Sequence, residues 1–263
     1  MNQPLAYVNP QAKIAANVVI EPFVSIDKNV VIEEGTWIGS NVTILEGARI
    51  GKNCKIFPGA VISAIPQDLK FAGEDTIVKI GNNVTIREFT TINRGTKASY
   101  ETVVGDNTLL MAYVHVAHDC VVGNNVIMAN AAMLAGHVIV DDWANIGAMV
   151  PIHQFCHIGT HAFIAGRTGV GKDVPPYTKA AREPLSYVGV NSIGLRRRGF
   201  STEVINQIQE IYRIIFLKSY NVSQAVEIIE AKMEATPERD EILSFISNSS
   251  RGIMKGYSKI REK

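Results

Sequence analysis

Six histidines are the side chains of this sequence best suited to chemistry, and all fall between His115 and His161. Two of them stand in Tyr113-Val114-His115-Val116-Ala117-His118-Asp119-Cys120. A neutral imidazole can take a proton near pH 7. Asp119 follows His118 directly and could orient the ring and stabilise its cation. His137 lies in Leu134-Ala135-Gly136-His137-Val138. A chain that repeats at the spacing from His118 to Gly136 would set that imidazole beside a bare glycine and its free N–H. Acyl transfer to a hydroxyl uses such a pair: a base for the hydroxyl proton and a donor for the developing oxyanion. His153, His157 and His161 fall on several other phases. The His-x-x-His spacing also admits zinc, as in a metal lyase, and any one of the six could be a surface residue without a role.

The elements that must position these residues follow from a period of six. Read from Val8 in steps of six, a large aliphatic residue recurs to Val170. Only Asp68, Glu74 and Ala98 break the series. The residue four places further on is small or β-branched, as at Val18, Ala48, Cys54, Ala60, Cys120, Ala132 and Cys156. Six does not match the 3.6 of an amphipathic helix. It fits short strands joined by tight turns, each with one large and one small side chain inward. Three strands, and so three hexads, close a triangular coil, and coils stack with a rise of ~4.8 Å. His118 and Gly136 are one such coil apart. This register turns Val116 and Cys120 inward and His118 outward. It also makes all three cysteines buried hydrophobes rather than redox or metal residues. Two excursions are expected to leave the coil, over about 63–79 and 93–103. Loops on so constrained a scaffold point to function or to an interface.

The coil is expected to end near Val174-Pro175-Pro176, with a linker to about Gly194. Helical grammar follows. Ser201 or Thr202 caps a helix with Val204, Ile208, Ile211 and Ile215 inward, and Asn221 or Ser223 starts another. Thr236-Pro237 reads as a cap with Pro at the first helical position. A last helix is expected over roughly Arg251–Ile260. The division is thus a β-solenoid over 1–190 and a helical domain over 191–263.

Composition narrows the function classes. The chain carries 26 Lys+Arg against 25 Asp+Glu, a net charge of +1. That balance argues against nucleic-acid binding. No apolar run approaches the ~18 residues of a transmembrane helix, and the first residues lack the pattern of a secretory signal. Three widely spaced cysteines give no disulfide framework. A cytoplasmic location is expected.

The hexad pattern resembles that of left-handed parallel β-helix transferases. The hand comes from that resemblance, since strand crossovers in general are right-handed. Longer motifs make the likeness specific. They are Gln67-Asp68-Leu69-Lys70-Phe71-Ala72-Gly73-Glu74, the two histidine segments above, and His153-Gln154-Phe155-Cys156. Asp173-Val174-Pro175-Pro176-Tyr177, Gly189-Val190-Asn191 and Arg196-Arg197-Arg198-Gly199-Phe200 complete the set. Over essentially its full length the chain resembles the UDP-N-acetylglucosamine O-acyltransferases that open lipid A biosynthesis.

That resemblance implies transfer of an (R)-3-hydroxyacyl chain from acyl carrier protein to the glucosamine 3-hydroxyl. It implies His118 as general base, Asp119 as its partner and the Gly136 N–H as oxyanion donor. Asp68, Lys70, His115 and His137 match residues around the sugar and acyl chain. His153, Gln154, Asn191, Arg197 and Arg198 match the nucleotide end, where arginine suits a diphosphate. Gly166 matches the position that limits acyl-chain length. It implies no metal or cofactor beyond the phosphopantetheine of the carrier protein, and a homotrimer with sites between subunits. Arg196 to Arg198, Arg251, Lys255 and Lys259 are candidates for receiving the acidic carrier. Asn93 and Ile193 depart from the family pattern, in which relatives often have a histidine and an acidic residue there. Two further alternatives are a coenzyme A-dependent acetyltransferase and a purely structural solenoid. The later N-acyltransferase of the same pathway carries a domain before its solenoid, whereas here the repeat begins by Val8.

Overall fold

The computed structural model describes residues 5–256, residue 219 excepted. From Tyr7 to Ile164 it is a run of short strands joined by turns. They stack into three parallel sheets, each taking every third strand. Tyr7 pairs with Ser25 and Lys13 with Val31, so a regular coil spans three hexads. The large aliphatics of the hexad form the interior: Ile20, Ile26, Ile38, Ile44, Ile56, Ile62 and Ile92 have no exposed surface. The small positions fill the space between them, and Cys54, Cys120 and Cys156 are buried among them as free thiols. Burial pushes the Cys120 thiol up to about 12 and the Cys156 thiol to about 11.

The turns add a second periodic feature. The residue three places after the aliphatic adopts left-handed backbone geometry, as at Asn41, Asn53, Asn83, Asn107 and Asn125. Asn tolerates this region, and glycine stands there at 35, 47 and 59. Asp119, His137, Phe155 and His161 occupy the same turn position with φ between 57° and 64°. The left-handed bend throws their side chains outward at the corners of the triangle.

The chain leaves the coil over 65–76 and 94–100. Residues 77–79 and 101–103, expected to belong to these excursions, are instead strand, in Ile77–Ile80 and Glu101–Val104. Val61 pairs with Thr91 and Thr91 with His115, so the first of these coils is longer than a regular one by two hexads and the second by one. Both excursions run from the first sheet to the second, and therefore emerge at one corner.

Beyond Ile164 the third sheet gains Thr178–Ala181 and, antiparallel to it, Ser186–Val190. The expected linker to Gly194 is thus largely a hairpin, and α1 (Ser192–Arg197) already begins within it. α2 (Thr202–Leu217) is capped by Ser201 and buries Ile205, Ile208, Ile211 and Tyr212. α3 (Val222–Lys232) opens on a capping box of Asn221 and Gln224. α4 (Pro237–Asn248) is capped by Thr236. The helix expected over Arg251–Ile260 is absent from the described part of that stretch. Lys255–Gly256 is a strand paired with Ser186–Tyr187, and residues 257–260 lie outside the described residues. No helix of the described residues is long and apolar enough to cross a membrane.

Candidate active site

The corner between the first and second sheets carries a column of turns at 117–119, 135–137 and 153–155, with both excursions below. These turns and the first excursion border a cavity of about 450 Å³ lined by Gln67, Asp68 and Lys70 of that excursion and by Asn93. Its other walls are His115, Ala117, His118, His137, Gln154 and Phe155.

At its base His118 Nδ1 lies 2.7 Å from Asp119 Oδ2. The Asp119 side chain is fully buried, while that of His118 is 14% exposed. Burial alone would raise the Asp119 carboxyl. Hydrogen bonds from Ser99, His118 and Thr96 outweigh it and hold the group well below the usual carboxylate range. An ionised carboxylate only accepts, so Nδ1 of His118 carries the proton of this contact, and in the neutral ring Nε2 is the acceptor. The ring lies against Gly136, where a β-carbon would stand 2.5 Å from His118 Cε1. Gly136 N–H donates to no backbone carbonyl among the described residues. His137 meets His118 edge-on at 5.2 Å between ring centroids and stacks on Phe155 at 4.6 Å. His115 Nδ1 is 2.7 Å from Thr91 Oγ1. Burial, then the neighbouring His118, lower its pKa.

His118, Asp119 and His137 offer ligand atoms within 4.8 Å of one another. The Asp119 oxygens, however, already accept from Thr96, Ser99 and His118. The set has the chemistry of a base–orienter pair, with a polarised imidazole open to a cavity.

The corner brings together Asp68, Lys70, His115, His118, Asp119, Gly136, His137 and Gln154. His153 stands on the same turn as Gln154, is exposed, and contacts the Gln154 carbonyl at 3.1 Å. Asn191, Arg197 and Arg198 are elsewhere. With Ile193, Lys179 and Phe163 they line a second cavity of about 440 Å³ on the outer face of the third sheet. Arg198 stacks over Trp143 at 4.9 Å, and burial lowers its pKa. Gly166 lies on a third corner against Ala148, outside both cavities. In a triangular coil, the corner between two sheets and the face of the third point in opposite directions. The two cavities of one chain therefore face apart.

Residues that sequence reasoning missed include Thr96 and Ser99 behind Asp119, Thr91 on His115, Phe155 under His137 and Trp143 under Arg198. The lengthened second coil is the signal for the first two.

Residues 29–64 and 101–136 match the bacterial transferase hexapeptide model. Residues 173–254 match the second domain of UDP N-acetylglucosamine O-acyltransferase. An acyl-[acyl-carrier-protein]–UDP-N-acetylglucosamine O-acyltransferase of Thermodesulfovibrio yellowstonii is 48% identical over 95% of this chain and 97% of its own. That of Janthinobacterium sp. (strain Marseille) is 46% identical over 96% and 98%. The crystal structure of a UDP-N-acetylglucosamine acyltransferase from Bacteroides fragilis superposes with a TM-score of 0.96 at 53% identity. It covers 97% of this chain and all of that one. Alike in sequence and in fold over nearly its whole length, the chain belongs to the family of UDP-N-acetylglucosamine O-acyltransferases and is an enzyme of that class.

Proposed function

We propose that the protein transfers an (R)-3-hydroxyacyl chain from acyl carrier protein to the 3-hydroxyl of UDP-N-acetylglucosamine, the first step of lipid A biosynthesis. The observation that carries this is the His118–Asp119 pair, whose imidazole lines the cavity while Gly136 packs against the ring. Nε2 takes the proton of the sugar 3-hydroxyl as its oxygen attacks the thioester carbonyl. The resulting oxyanion accepts from the Gly136 N–H. Collapse breaks the carbon–sulfur bond, and the imidazolium returns its proton to the leaving thiolate. General-base help of this kind contributes about 10²–10⁴-fold. The thioester supplies the activation, so the scheme uses no metal or redox cofactor.

Asp68, Lys70, His115, His137 and Gln154 would hold the sugar and the acyl chain. Asn191, Arg197 and Arg198 would hold the nucleotide, whose diphosphate suits two adjacent guanidinium groups. Because the two cavities face opposite ways on one chain, a single bound acceptor needs the second cavity of another copy. That supports a homotrimer whose sites lie between subunits. Gly166 would bound the acyl chain. Among the basic candidates for the carrier protein, Arg251 is tied to the Gly171 carbonyl, Lys255 is exposed, and Lys259 lies outside the described residues. Buried free cysteines suit a reducing cytoplasm.

The test is an acyl-transfer assay with UDP-N-acetylglucosamine and a panel of 3-hydroxyacyl carrier proteins of different lengths. The expected result is 3-O-acylated product with a preferred chain length. Turnover of acetyl-coenzyme A with none of the carrier-bound donors would overturn the proposal.

A further inference from the structure

The second excursion is the part of the site to which acyl transfer assigns no task. It is firmly braced. Arg94 N–H donates to the Ala64 carbonyl, Gly95 N–H to Ile77 and Tyr100 N–H to Thr96. A side chain at Gly95 would run into the backbone of Glu101. So held, the loop aims its donors at one carboxylate. Thr96 N–H and Ser99 N–H reach Asp119 Oδ1 at 2.9 and 3.3 Å. Thr96 Oγ1 reaches Oδ2 at 2.7 Å. Ser99 Oγ is 2.5 Å from Oδ1 and 2.9 Å from the Glu101 carbonyl. Its single proton goes to the carboxylate, the shorter and charged partner. On the other side, Asp119 N–H donates to Thr102 Oγ1.

All four loop donors are neutral. Among the described residues no lysine or arginine pairs with Asp119, whose charged-type contacts are His118 and His137. This choice has a consequence for the imidazole. A cation beside Asp119 would stabilise the carboxylate and also repel a proton from His118. A bare carboxylate would do the reverse and draw His118 into its charged, non-basic form. Neutral donors spread the carboxylate charge without adding a positive one.

We propose that Thr96 and Ser99 are positioning residues for the His118–Asp119 pair: they fix the carboxylate and, by dispersing its charge, set the basicity of His118. The inference rests on His118 as the base. Other titratable groups face the pair. His115 stands on the strand that leads into the pair, His137 on the adjoining turn, Asp68 and Lys70 on the first excursion, and the Cys120 thiol in the interior. None of them is altered by the substitutions below.

The experiment uses the full chain with ¹³C-labelled histidine, the His118 resonance being assigned with His118→Gln. The His118 titration and the pH profile of kcat/KM are measured for wild type, Thr96→Val, Ser99→Ala, the double variant and Ser99→Thr. Loss of both hydroxyls is expected to raise the His118 pKa by about one unit. Then kcat/KM falls about tenfold below the acid limb and about threefold or less on the plateau. Each single variant moves part of the way, and Ser99→Thr retains the wild-type profile. An unmoved His118 titration overturns the proposal, whether activity is unchanged or falls equally at every pH. If the double variant does not fold, the single variants carry the same test. Absence of acyl transfer in the wild type would instead refute His118 as base for that reaction, while the titration still reads the cradle.

Discussion

A β-carbon on Gly136 would stand 2.5 Å from Cε1 and 2.7 Å from Nε2 of His118. The glycine is therefore set by the imidazole, since its backbone φ is not in the left-handed region. Gly136→Ala keeps the N–H and the turn but pushes the ring off its seat. Misplacement of a catalytic group by about 1 Å can cost about 10²-fold. The expected outcome is a fall in kcat of at least tenfold with little change in thermal midpoint. Wild-type kcat in this variant would show that the ring can yield without loss.

His118→Ala removes the base and leaves Asp119 with its loop donors. Nearly all turnover should vanish while the fold and assembly persist, because the ring is at a turn and outside the aliphatic ladders. Steady-state assays with size-exclusion chromatography check this. More than about a tenth of wild-type activity would contradict the base assignment, given the range expected for general-base catalysis.

How much of this is readable in the sequence differs from residue to residue. The alternation of Ile and a small residue every six positions determines which side chains enter the coil, so the strands and buried cysteines are local facts of the sequence. The contact of His118 with Gly136 is equally legible, because only one regular coil separates them. Thr96 is marked only as part of a lengthened coil, because the excursion shifts the register and hides which residue it meets. The hairpin at 178–190 lies where the hexad has ended, and the strand Lys255–Gly256 depends on Ser186, far back along the chain. No local period announces such a pairing. Asn191, Arg197 and Arg198 are legible as motif residues, but not their place on the face opposite His118.

Arg197 lines the second cavity with Arg198, which Trp143 holds by stacking. Neither arginine is near the reacting pair of its own chain. Arg197→Ala should therefore raise the KM for UDP-N-acetylglucosamine and leave kcat nearly unchanged, the pattern of lost uniform binding. Trp143→Ala should do the same more weakly, since it frees Arg198 without removing its charge. Initial rates across acceptor concentrations separate the cases. A lowered kcat at unchanged KM in Arg197→Ala would contradict a binding role.

His161 links stability to pH. It stacks between Trp143 and Tyr177, meets Phe200 edge-on, and buries an Nδ1 without a partner among the described residues. Burial, then the charge of Arg198, push its pKa down to about 4, with Asp142 opposing. The unfolded imidazole titrates near 6.5. Between these values the unfolded chain binds the extra proton, so acidification favours unfolding. The effect is absent above pH 6.5, grows as pH falls, and levels off near pH 4. At about 1.4 kcal/mol per unit the full loss is of order 3 kcal/mol. His161→Phe keeps the stack and removes the titration. Thermal midpoints at pH 7.5 and 5 should then lie closer together in the variant than in wild type. Equal losses in both proteins would place the acid sensitivity elsewhere.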